Sequence, residues 1–403
     1  MSTPTNPNFS ATCAPPVMEA RKWIAQASLP ADRPLINVSQ AAPLQAPPLP
    51  MRQAIADIVL SDTSAHLYGP VLGLPDLRAE IASRWSTDYG GLIRPDQVAM
   101  TSGCNQAFTS VLSTLAGPGD EVLLPTPWYF NHKMHLDMAG VTTVALETGH
   151  DLLPDPATAR ALIGPATRAI VLVSPNNPGG AEYPADLVAA FADLARAHGL
   201  ALVLDETYRD FDSRPGPPHR LFQDPDWDRT VIQLYSFSKA FRLTGHRVGS
   251  VIASPERLRE VEKYLDTVTI CPNQIGQRAA LWGLQNLGQW LAGERAEVLA
   301  RRAAVQDSLG PLSARGWTLK GLGAYFAYLE HPFASSSADL APFLVEKAGV
   351  LMLPGTMFRP AHDPLGAREF RIAFANVDAR QIATLFKRLE NLPPDLAPPA
   401  DRA

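Results

Sequence analysis

Residues 231–239 read Val-Ile-Gln-Leu-Tyr-Ser-Phe-Ser-Lys, so a short and largely apolar run passes directly into two hydroxyl groups and a lysine. Two earlier stretches have the same form, because residues 169–173 lead into the polar turn 174–180 and residues 201–204 lead into Asp-Glu-Thr-Tyr at 205–208. Short apolar runs are typical of strands that are buried on both faces of a parallel sheet. The sequence therefore predicts three such strands, each with polar side chains at its carboxyl end.

The surrounding sequence, from about residue 70 to 255, alternates apolar runs with longer amphipathic ones. This pattern predicts an α/β fold, in which helices cover both faces of a parallel sheet. Further strands are predicted at 97–100, 121–124 and 248–253. Residues 187–198 have apolar side chains at helical spacing, and Gly199 is placed to end that helix.

The character of the sequence changes after about residue 285. Arg and Glu dominate a long amphipathic helix near 286–309, and a strand-like segment follows at 323–329, which indicates a second, smaller α+β domain. We expect an N-terminal arm at 1–16, a large domain at 48–285, a small domain formed by 17–47 and 286–395, and a tail at 396–403.

The composition argues against several classes of protein. The chain has 403 residues, of which 46% are hydrophobic, and its net charge of −5 gives no attraction for nucleic acid or an anionic membrane. No apolar run approaches the ~18 to 20 residues that span a bilayer. Cys13, Cys104 and Cys271 have a spacing that fits neither a disulfide framework nor a zinc site, so we expect no metal and a reducing, cytoplasmic location.

The polar segments after the strands should meet at one site, because ligands of open α/β sheets bind outside the carboxyl ends of the strands. An amide, a carboxylate, a phenol and an amine would then share one crevice, from Asn177, Asp205, Tyr208 and Lys239. Asp205 can instead cap a helix, Tyr208 can be a core aromatic, and Asn177 can form an Asx turn. Lys239 is harder to explain structurally, because it follows a buried strand and should not lie on an open helix face.

A fourth predicted strand opens into Thr-Ser-Gly-Cys-Asn-Gln at 101–106 and then into a helix with apolar periodicity. A glycine before a helix start leaves free N–H groups at the positive end of the helix dipole, which suits a phosphate. Many such turns bind no ligand. Arg247 and Lys239 nevertheless place two cations near this one.

In this order, the segments resemble the fold-type I pyridoxal-phosphate enzymes, specifically the class I and II aminotransferases, over nearly the whole chain. The matching motifs are Ser-Phe-Ser-Lys at 236–239 with Gly-His-Arg-Val-Gly at 245–249, the segments 174–180 and 205–208, Tyr-Gly-Pro at 68–70 with 73–78, and the segments 354–358 and 370–372. The resemblance implies a mostly parallel seven-stranded sheet flanked by helices, with a smaller α+β domain. It also implies a homodimer that uses pyridoxal 5′-phosphate to move an amino group from an amino acid to a 2-oxo acid.

The resemblance also implies the catalytic roles. Lys239 would hold the cofactor as a Schiff base and shuttle a proton to and from the substrate α-carbon. Asp205 would keep the pyridine nitrogen protonated, and this charge makes the ring an electron sink. Asn177 and Tyr208 would hydrogen-bond the phenolate oxygen of the ring.

Binding roles follow from the same resemblance. The expected phosphate ligands are Ser236, Ser238, Arg247, the turn at Gly103, the N–H groups of Cys104 and Asn105, and Tyr68 from the neighbouring subunit. Tyr129 would stack on the ring. Arg371 would bind the substrate α-carboxylate through a two-pronged pair, close to Asn177 and Ala41.

Three departures from the family pattern affect these expectations. Ala41-Ala42 stand where many relatives have a glycine near the substrate carboxylate. Asn-Pro-Gly-Gly at 177–180 replaces the usual Asn-Pro-Thr-Gly. Asn105 lies where relatives often carry another small polar or basic residue, and that position can face the substrate.

Other functions stay open at this point. Carbon–sulfur β-lyases and related lyases use the same lysine, aspartate and arginine. Residues 236–239 also satisfy the Ser-x-x-Lys pattern of acyl-serine hydrolases, although Lys-Thr-Gly is absent, and a non-catalytic aminotransferase-like sensor is a further alternative. The aromatic residues 128–130, and the absence of a second arginine signature, favour neutral, aromatic or sulfur-containing amino donors.

Overall fold

The computed structural model describes residues 3–30 and 33–396. Within these two ranges, no helix is long and apolar enough to cross a bilayer. The predicted tail at 396–403 lies outside the described residues, apart from Leu396.

The strands are β1 Ile36–Asn37, β2 Val98–Thr101, β3 Glu121–Thr126, β4 Thr142–Glu147, β5 Thr167–Val173, β6 Ala201–Asp205, β7 Val231–Ser236, β8 Gly249–Ile252, β9 Thr318–Gly323, β10 Phe326–Glu330, β11 Val350–Leu351, β12 Leu353–Pro354 and β13 Glu369–Ala373. The helices are α1 Pro7–Ala11, α2 Pro16–Gln26, α3 Leu49–Ser61, α4 Pro75–Tyr89, α5 Cys104–Ser113, α6 Phe130–Ala139, α7 Pro156–Leu162, α8 Ala185–Ala197, α9 Phe237–Ala240, α10 Pro255–Thr269, α11 Gln274–Asn286, α12 Gly288–Ser313, α13 Ser337–Ala348 and α14 Ala379–Glu390.

Seven strands form the central sheet, in the order β2-β8-β7-β6-β5-β3-β4. The strands β3 to β7 are parallel to their neighbours in that group, whereas β8 is antiparallel to both β2 and β7. This confirms the predicted fold class. The six strands predicted in this region are all present, and each of their ends lies within two residues of the predicted position.

The central strand that the sequence analysis missed is β4, at the edge of the sheet. Its end residues Thr142 and Glu147 are exposed, and most of the side chains between them are only half-buried. An edge strand has one unpaired side, and its side chains can be partly exposed to solvent. It therefore lacks the unbroken apolar run on which the other strand predictions depended.

The side chains of the central strands alternate between two cores. Leu204 packs in the core beneath α4 and α8, whereas Val203 packs in the core beneath α5 and α10. The residues at the end of β6 continue this alternation. Asp205 is directed to the α5 and α6 face, and Glu206 is directed to the α4 face.

A second, four-stranded antiparallel sheet has the order β12-β13-β10-β9, and helices α12, α13 and α14 pack with it in a separate core. The strand-like segment predicted at 323–329 corresponds to β10, which starts three residues later than predicted because the chain reverses between β9 and β10. Ala324, with a φ of 42°, lies in this reversal. The domain boundaries at residues 48 and 285 stay a prediction.

Four glycines bring the turn after β5 into backbone contact with the second sheet, and we call residues 179, 180, 321 and 323 the glycine seam. A Cβ atom on Gly321 would collide with the carbonyl oxygen of Gly179, and one on Gly323 with that of Gly180. A Cβ atom on Gly179 would itself lie 2.7 Å from Leu152 Cδ1. Glycine in place of the threonine of Asn-Pro-Thr-Gly therefore fits the space here, because a side chain at position 179 would require Leu152 to move.

Candidate active site

A cavity of about 140 Å³ lies at the carboxyl ends of β5, β6 and β7. It is lined by Cys104, Asn105, Tyr129, Val173, Asn177, Asp205, Thr207, Tyr208, Ser236, Ser238, Lys239 and Arg247. All of these except Val173 and Thr207 were predicted site residues. The parallel strands bring them together because their carboxyl ends share one edge of the sheet.

The first turn of α5 forms the anion-binding end of the cavity. Gly103 precedes this helix with a φ of 86°, and a Cβ atom there would collide with the Arg247 guanidinium. Arg247 Nη1 donates to Ser238 Oγ at 3.3 Å, and Ser236 Oγ accepts from the Ser238 N–H at 3.2 Å. A helix N-terminus, a guanidinium and two hydroxyls together are a donor set that suits a phosphate.

Lys239 supplies a buried primary amine. Its Nζ donates to the carbonyl oxygen of Ala41 at 2.6 Å and lies 5.8 Å from the centroid of the Tyr208 ring. Burial, together with the positive charges of Arg247 and Arg371, lowers the pKa of Lys239 to about 8. More of this amine is therefore unprotonated near neutral pH than in an exposed lysine, and the unprotonated form is the one that attacks a carbonyl carbon.

Asp205 places a buried carboxylate in the same cavity. Its Oδ1 accepts from the Thr207 N–H at 2.9 Å, and its Oδ2 lies 3.2 Å from His132 Nε2. Burial acts to raise the pKa of Asp205, but the interactions with His132 and Thr207 outweigh it and the pKa is lowered. The group is therefore a carboxylate at neutral pH, which suits a cationic nitrogen as its partner.

His132 is a site residue that the sequence analysis missed. It lies on α6 and stacks on the ring of Phe108, with centroids 3.8 Å apart, while the Tyr129 ring is T-shaped to it, with centroids 5.0 Å apart. The available signal was the position of His132 in the first turn of the helix that follows Tyr129. This packing fixes the imidazole beside Asp205.

Arg371 lies on β13 and is 2% exposed. Its Nη1 donates to Asn177 Oδ1 at 3.0 Å and its Nη2 donates to the Ser39 carbonyl oxygen, whereas its Nε has no hydrogen-bond partner. Burial lowers the pKa of Arg371 to about 10, so the guanidinium keeps its charge at neutral pH. A buried cation with an unused donor is suited to bind a carboxylate.

A second cavity, of about 340 Å³, shares residues with the first and extends to Arg371. Its lining consists of Val17, Gln40, Ala41, Ala42, Asn105, Tyr129, Phe130, Asn131, Asn177, Tyr208, Ser238, Lys239, Thr244, Arg247 and Arg371. The predicted residues Ala41 and Arg371 both open here. A substrate held by Arg371 would therefore lie in the cavity that also contains Lys239.

A neutral hydrogen-bond chain forms one wall of the second cavity, and its members Asn105 and Tyr129 also line the first. Tyr129 Oη donates to Asn105 Oδ1 at 3.4 Å and accepts from Asn131 Nδ2 at 3.0 Å. Burial raises the pKa of Tyr129 to about 12, so its hydroxyl keeps its proton. This wall therefore presents a phenol and two amides, with no fixed charge.

Two predicted site residues, Tyr68 and Gly103, are in the lining of neither cavity, although Gly103 lies directly before the first turn of α5. The side chain of Tyr68 is 81% exposed, and that of Leu67 is 66% exposed. The turn that carries Tyr68 packs closely against α11, because a Cβ atom on Gly69 would lie 2.5 Å from Gln274 Nε2. Tyr68 is thus an exposed aromatic on a turn packed against α11, available to a second molecule.

These groups fit pyridoxal 5′-phosphate. The first turn of α5, with the Arg247 guanidinium packed against Gly103, suits the phosphate, the Lys239 amine suits the aldehyde, and the Asp205 carboxylate suits the pyridine nitrogen. A family model described as aminotransferase class I and II matches residues 33–389. The chain belongs to this family. It is an aminotransferase that uses pyridoxal 5′-phosphate to transfer an amino group from an amino acid to a 2-oxo acid, which confirms the predicted cofactor and enzyme class.

Curated relatives and solved structures agree with this assignment. The chain is 32% identical over 302 residues to an aspartate/prephenate aminotransferase of Thermus thermophilus, covering 72% of this chain and 76% of the relative. It is 28% identical to a valine–pyruvate aminotransferase of Mycobacterium tuberculosis, covering 90% and 92%. The structure of the Thermus thermophilus aspartate aminotransferase with maleate superposes with a TM-score of 0.85 and 25% identity, over 96% of this chain and 99% of that chain.

The Ser-x-x-Lys pattern has a structural explanation in this aminotransferase. Ser236 is the residue before α9, and its Oγ caps that short helix by accepting the Ser238 N–H. The cap orients the helix that carries Lys239. The pattern therefore reflects how the lysine is positioned and gives no support to acyl-serine chemistry.

Proposed function

We propose that this aminotransferase prefers amino donors with neutral, aromatic or sulfur-containing side chains. The observation that carries the proposal is the lining of the second cavity, whose cationic side chains, among the described residues, are Lys239, Arg247 and Arg371. Each has a proposed partner in the cofactor or in the substrate α-carboxylate. A second substrate carboxylate would therefore be buried without a cation, which is costly.

We propose the following roles for the residues that hold the cofactor. Arg247, Ser236, Ser238 and the first turn of α5 bind the phosphate. Asp205 holds a proton on the pyridine nitrogen, and the bound cofactor then supplies an electron sink for negative charge on the substrate. Lys239 Nζ holds the cofactor and carries the proton to and from the substrate α-carbon.

Asn177 and Arg371 act as a pair in this proposal. Because Asn177 Oδ1 already accepts from Arg371 Nη1, its amide N–H groups are free to donate to the phenolate oxygen of the cofactor, beside Tyr208. Arg371 binds the α-carboxylate of the substrate. One hydrogen bond thereby links the residue that holds the substrate to a residue that orients the ring.

A screen of amino donors tests the proposed substrate class. With one common 2-oxo acid, kcat/KM for phenylalanine, methionine and leucine is expected to exceed that for aspartate and glutamate at least about tenfold, because the second carboxylate has no partner in the cavity. Measuring both the new amino acid and ammonia separates transamination from β-elimination. Aspartate as the fastest donor, or ammonia release from cysteine without a 2-oxo acid, would contradict the proposal.

We also propose a homodimer in which Tyr68 binds the phosphate in the partner's site, and a cytoplasmic location, in keeping with the free thiols Cys13, Cys104 and Cys271. The exposed Leu60 and Leu67 near Tyr68 are suited to an interface.

Hybrid dimers test the shared site. Tyr68→Ala is expected to weaken phosphate binding about tenfold or more, because a hydrogen bond to a charged group is lost. A hybrid of one Tyr68→Ala subunit and one Lys239→Ala subunit should regain one intact site and about half of the wild-type activity per dimer. A hybrid no more active than the Tyr68→Ala homodimer would show that Tyr68 does not act across the interface.

A further inference from the structure

Glu206, Arg209 and Asp210 are charged residues close to Tyr208 in the chain, and they line neither cavity. Glu206 is 1% exposed in its side chain and accepts from Tyr89 Oη at 2.5 Å, and Gln233 Nε2 also donates to it. Asp210 accepts from Tyr235 Oη at 2.6 Å. These contacts are on the face of the sheet covered by α4, opposite to Asp205.

Arg209 is held between aromatic rings of α4. Its guanidinium carbon lies 4.1 Å from the ring centroid of Trp85 and 4.9 Å from that of Tyr89, and its Nη2 donates to Asp88. The spacing of Trp85, Asp88 and Tyr89 places all three on one side of the last helical turn. The Arg209 side chain is only 9% exposed, so these cation–π contacts are largely shielded from water.

Tyr208 lies between these two anchored residues. The Arg209 N–H donates to the Glu206 carbonyl oxygen at 3.0 Å, and the Phe211 N–H donates to the Tyr208 carbonyl oxygen at 2.9 Å, so the backbone turns tightly on both sides of the tyrosine. The Tyr208 ring itself contacts Tyr325 and Phe326, with centroids 5.3 and 5.1 Å away. The backbone that carries Tyr208 is therefore fixed from the far side of the sheet.

We propose that Arg209 and Glu206 are positioning residues, which hold the Tyr208 hydroxyl within hydrogen-bonding distance of the phenolate oxygen of the cofactor. This inference rests on the proposed role of Tyr208. A hydroxyl must be held within a few tenths of an ångström to donate well, and that precision requires side chains with locked rotamers behind it. The stacked guanidinium and the multiply bonded carboxylate provide that support.

A double-mutant cycle on the cofactor-loaded protein tests the proposal. The measurement is the pH midpoint of the visible absorbance band, at which the Lys239 nitrogen loses its proton. Tyr208→Phe is expected to raise this midpoint by about one unit, because a donor to the phenolate oxygen is lost. Arg209→Met should raise it in the same direction by at least half of that shift, and Arg209→Lys by less, since lysine keeps the charge without the planar stacking.

The cycle separates positioning from other effects. If Arg209 acts through Tyr208, then Arg209→Met causes no further shift in the Tyr208→Phe background, whereas a long-range charge effect would shift both backgrounds equally. Leu265→Ala, in the core beneath α10, controls for lost stability, because it should lower the melting temperature and leave the midpoint unchanged.

Two results would overturn the inference. One is an unchanged midpoint in both Arg209 variants, and the other is a double variant in which the shifts of Arg209→Met and Tyr208→Phe add fully. If Arg209→Met does not fold, the midpoint shifts of Arg209→Lys and Glu206→Gln, and their additivity with Tyr208→Phe, test the inference instead. Failure of the proposed function has a different signature, because the wild-type protein would then show no visible band that titrates and that Lys239→Ala removes.

Discussion

Lys239→Ala is expected to lower the transamination rate by at least about 10⁴-fold, the upper end of what one general acid–base group contributes. The expected loss is this large because, in the proposed mechanism, Lys239 both holds the cofactor and carries the proton to the substrate α-carbon. Cofactor should still bind weakly at the phosphate end through Arg247, but the visible band of the lysine-bound form should be absent. Stopped-flow assays and absorbance spectra measure the two effects.

Lys133→Ala is a matched control for this variant. Lys133 is a partly buried lysine on α6 that pairs with Asp137 and lines neither cavity, so its loss should leave rate and spectrum near wild type. Cofactor uptake gives an independent check on the amine. Because the pKa of Lys239 is lowered to about 8, loading of the cofactor-free protein should accelerate as the pH rises from 7 towards 9. A Lys239→Ala protein that turns over at the wild-type rate would remove this residue from the mechanism.

Asp205→Asn is expected to retain the cofactor and to lower kcat by about 10² to 10³-fold, the usual effect of removing one preorganised electrostatic group. The amide is nearly isosteric and its oxygen can still accept the Thr207 N–H, so the geometry should persist. It carries no negative charge, however, and so does not hold a proton on the pyridine nitrogen. Steady-state kinetics and a cofactor binding titration on the same samples separate these effects.

Asp212→Asn provides the control for the aspartate variant. Asp212 is also buried, lies in the segment that follows β6 and pairs with Arg214 at 2.5 Å, outside the cavity. The same substitution there should leave kcat within about threefold of wild type, although it costs some stability. If Asp205→Asn reacted as fast as Asp212→Asn, the carboxylate at 205 would have no special role in the chemistry.

Most of the central sheet and of the cofactor site could be predicted from sequence, because most of the site residues lie close in the chain to a recognisable strand. Asp205 is the last residue of β6 and Lys239 lies shortly after β7, so a buried apolar run precedes each of them. No such run precedes His132, since it lies inside a helix and its partner Asp205 is 73 positions away.

Packing across the fold was predicted only in part. The resemblance placed Arg371 and Asn177 at one substrate site, but their direct hydrogen bond depends on how the two sheets meet, and no local pattern reports it. The loss of the usual threonine at position 179 was visible in the sequence. Its cause was not, because the nearest atoms to a side chain at 179 belong to Leu152 and Asn176.

We expect the glycine seam to limit movement between the turn after β5 and the second sheet. The two meet main chain to main chain, and one methyl group added to Gly321 or Gly323 would collide with a facing carbonyl oxygen. Because close packing of this kind transmits displacement, we expect Asn177, which lies in that turn, and the second sheet that carries Arg371 to move together. We then expect an incoming amino acid to enter past Val17 and Gln40, which the N-terminal segment contributes to the second cavity.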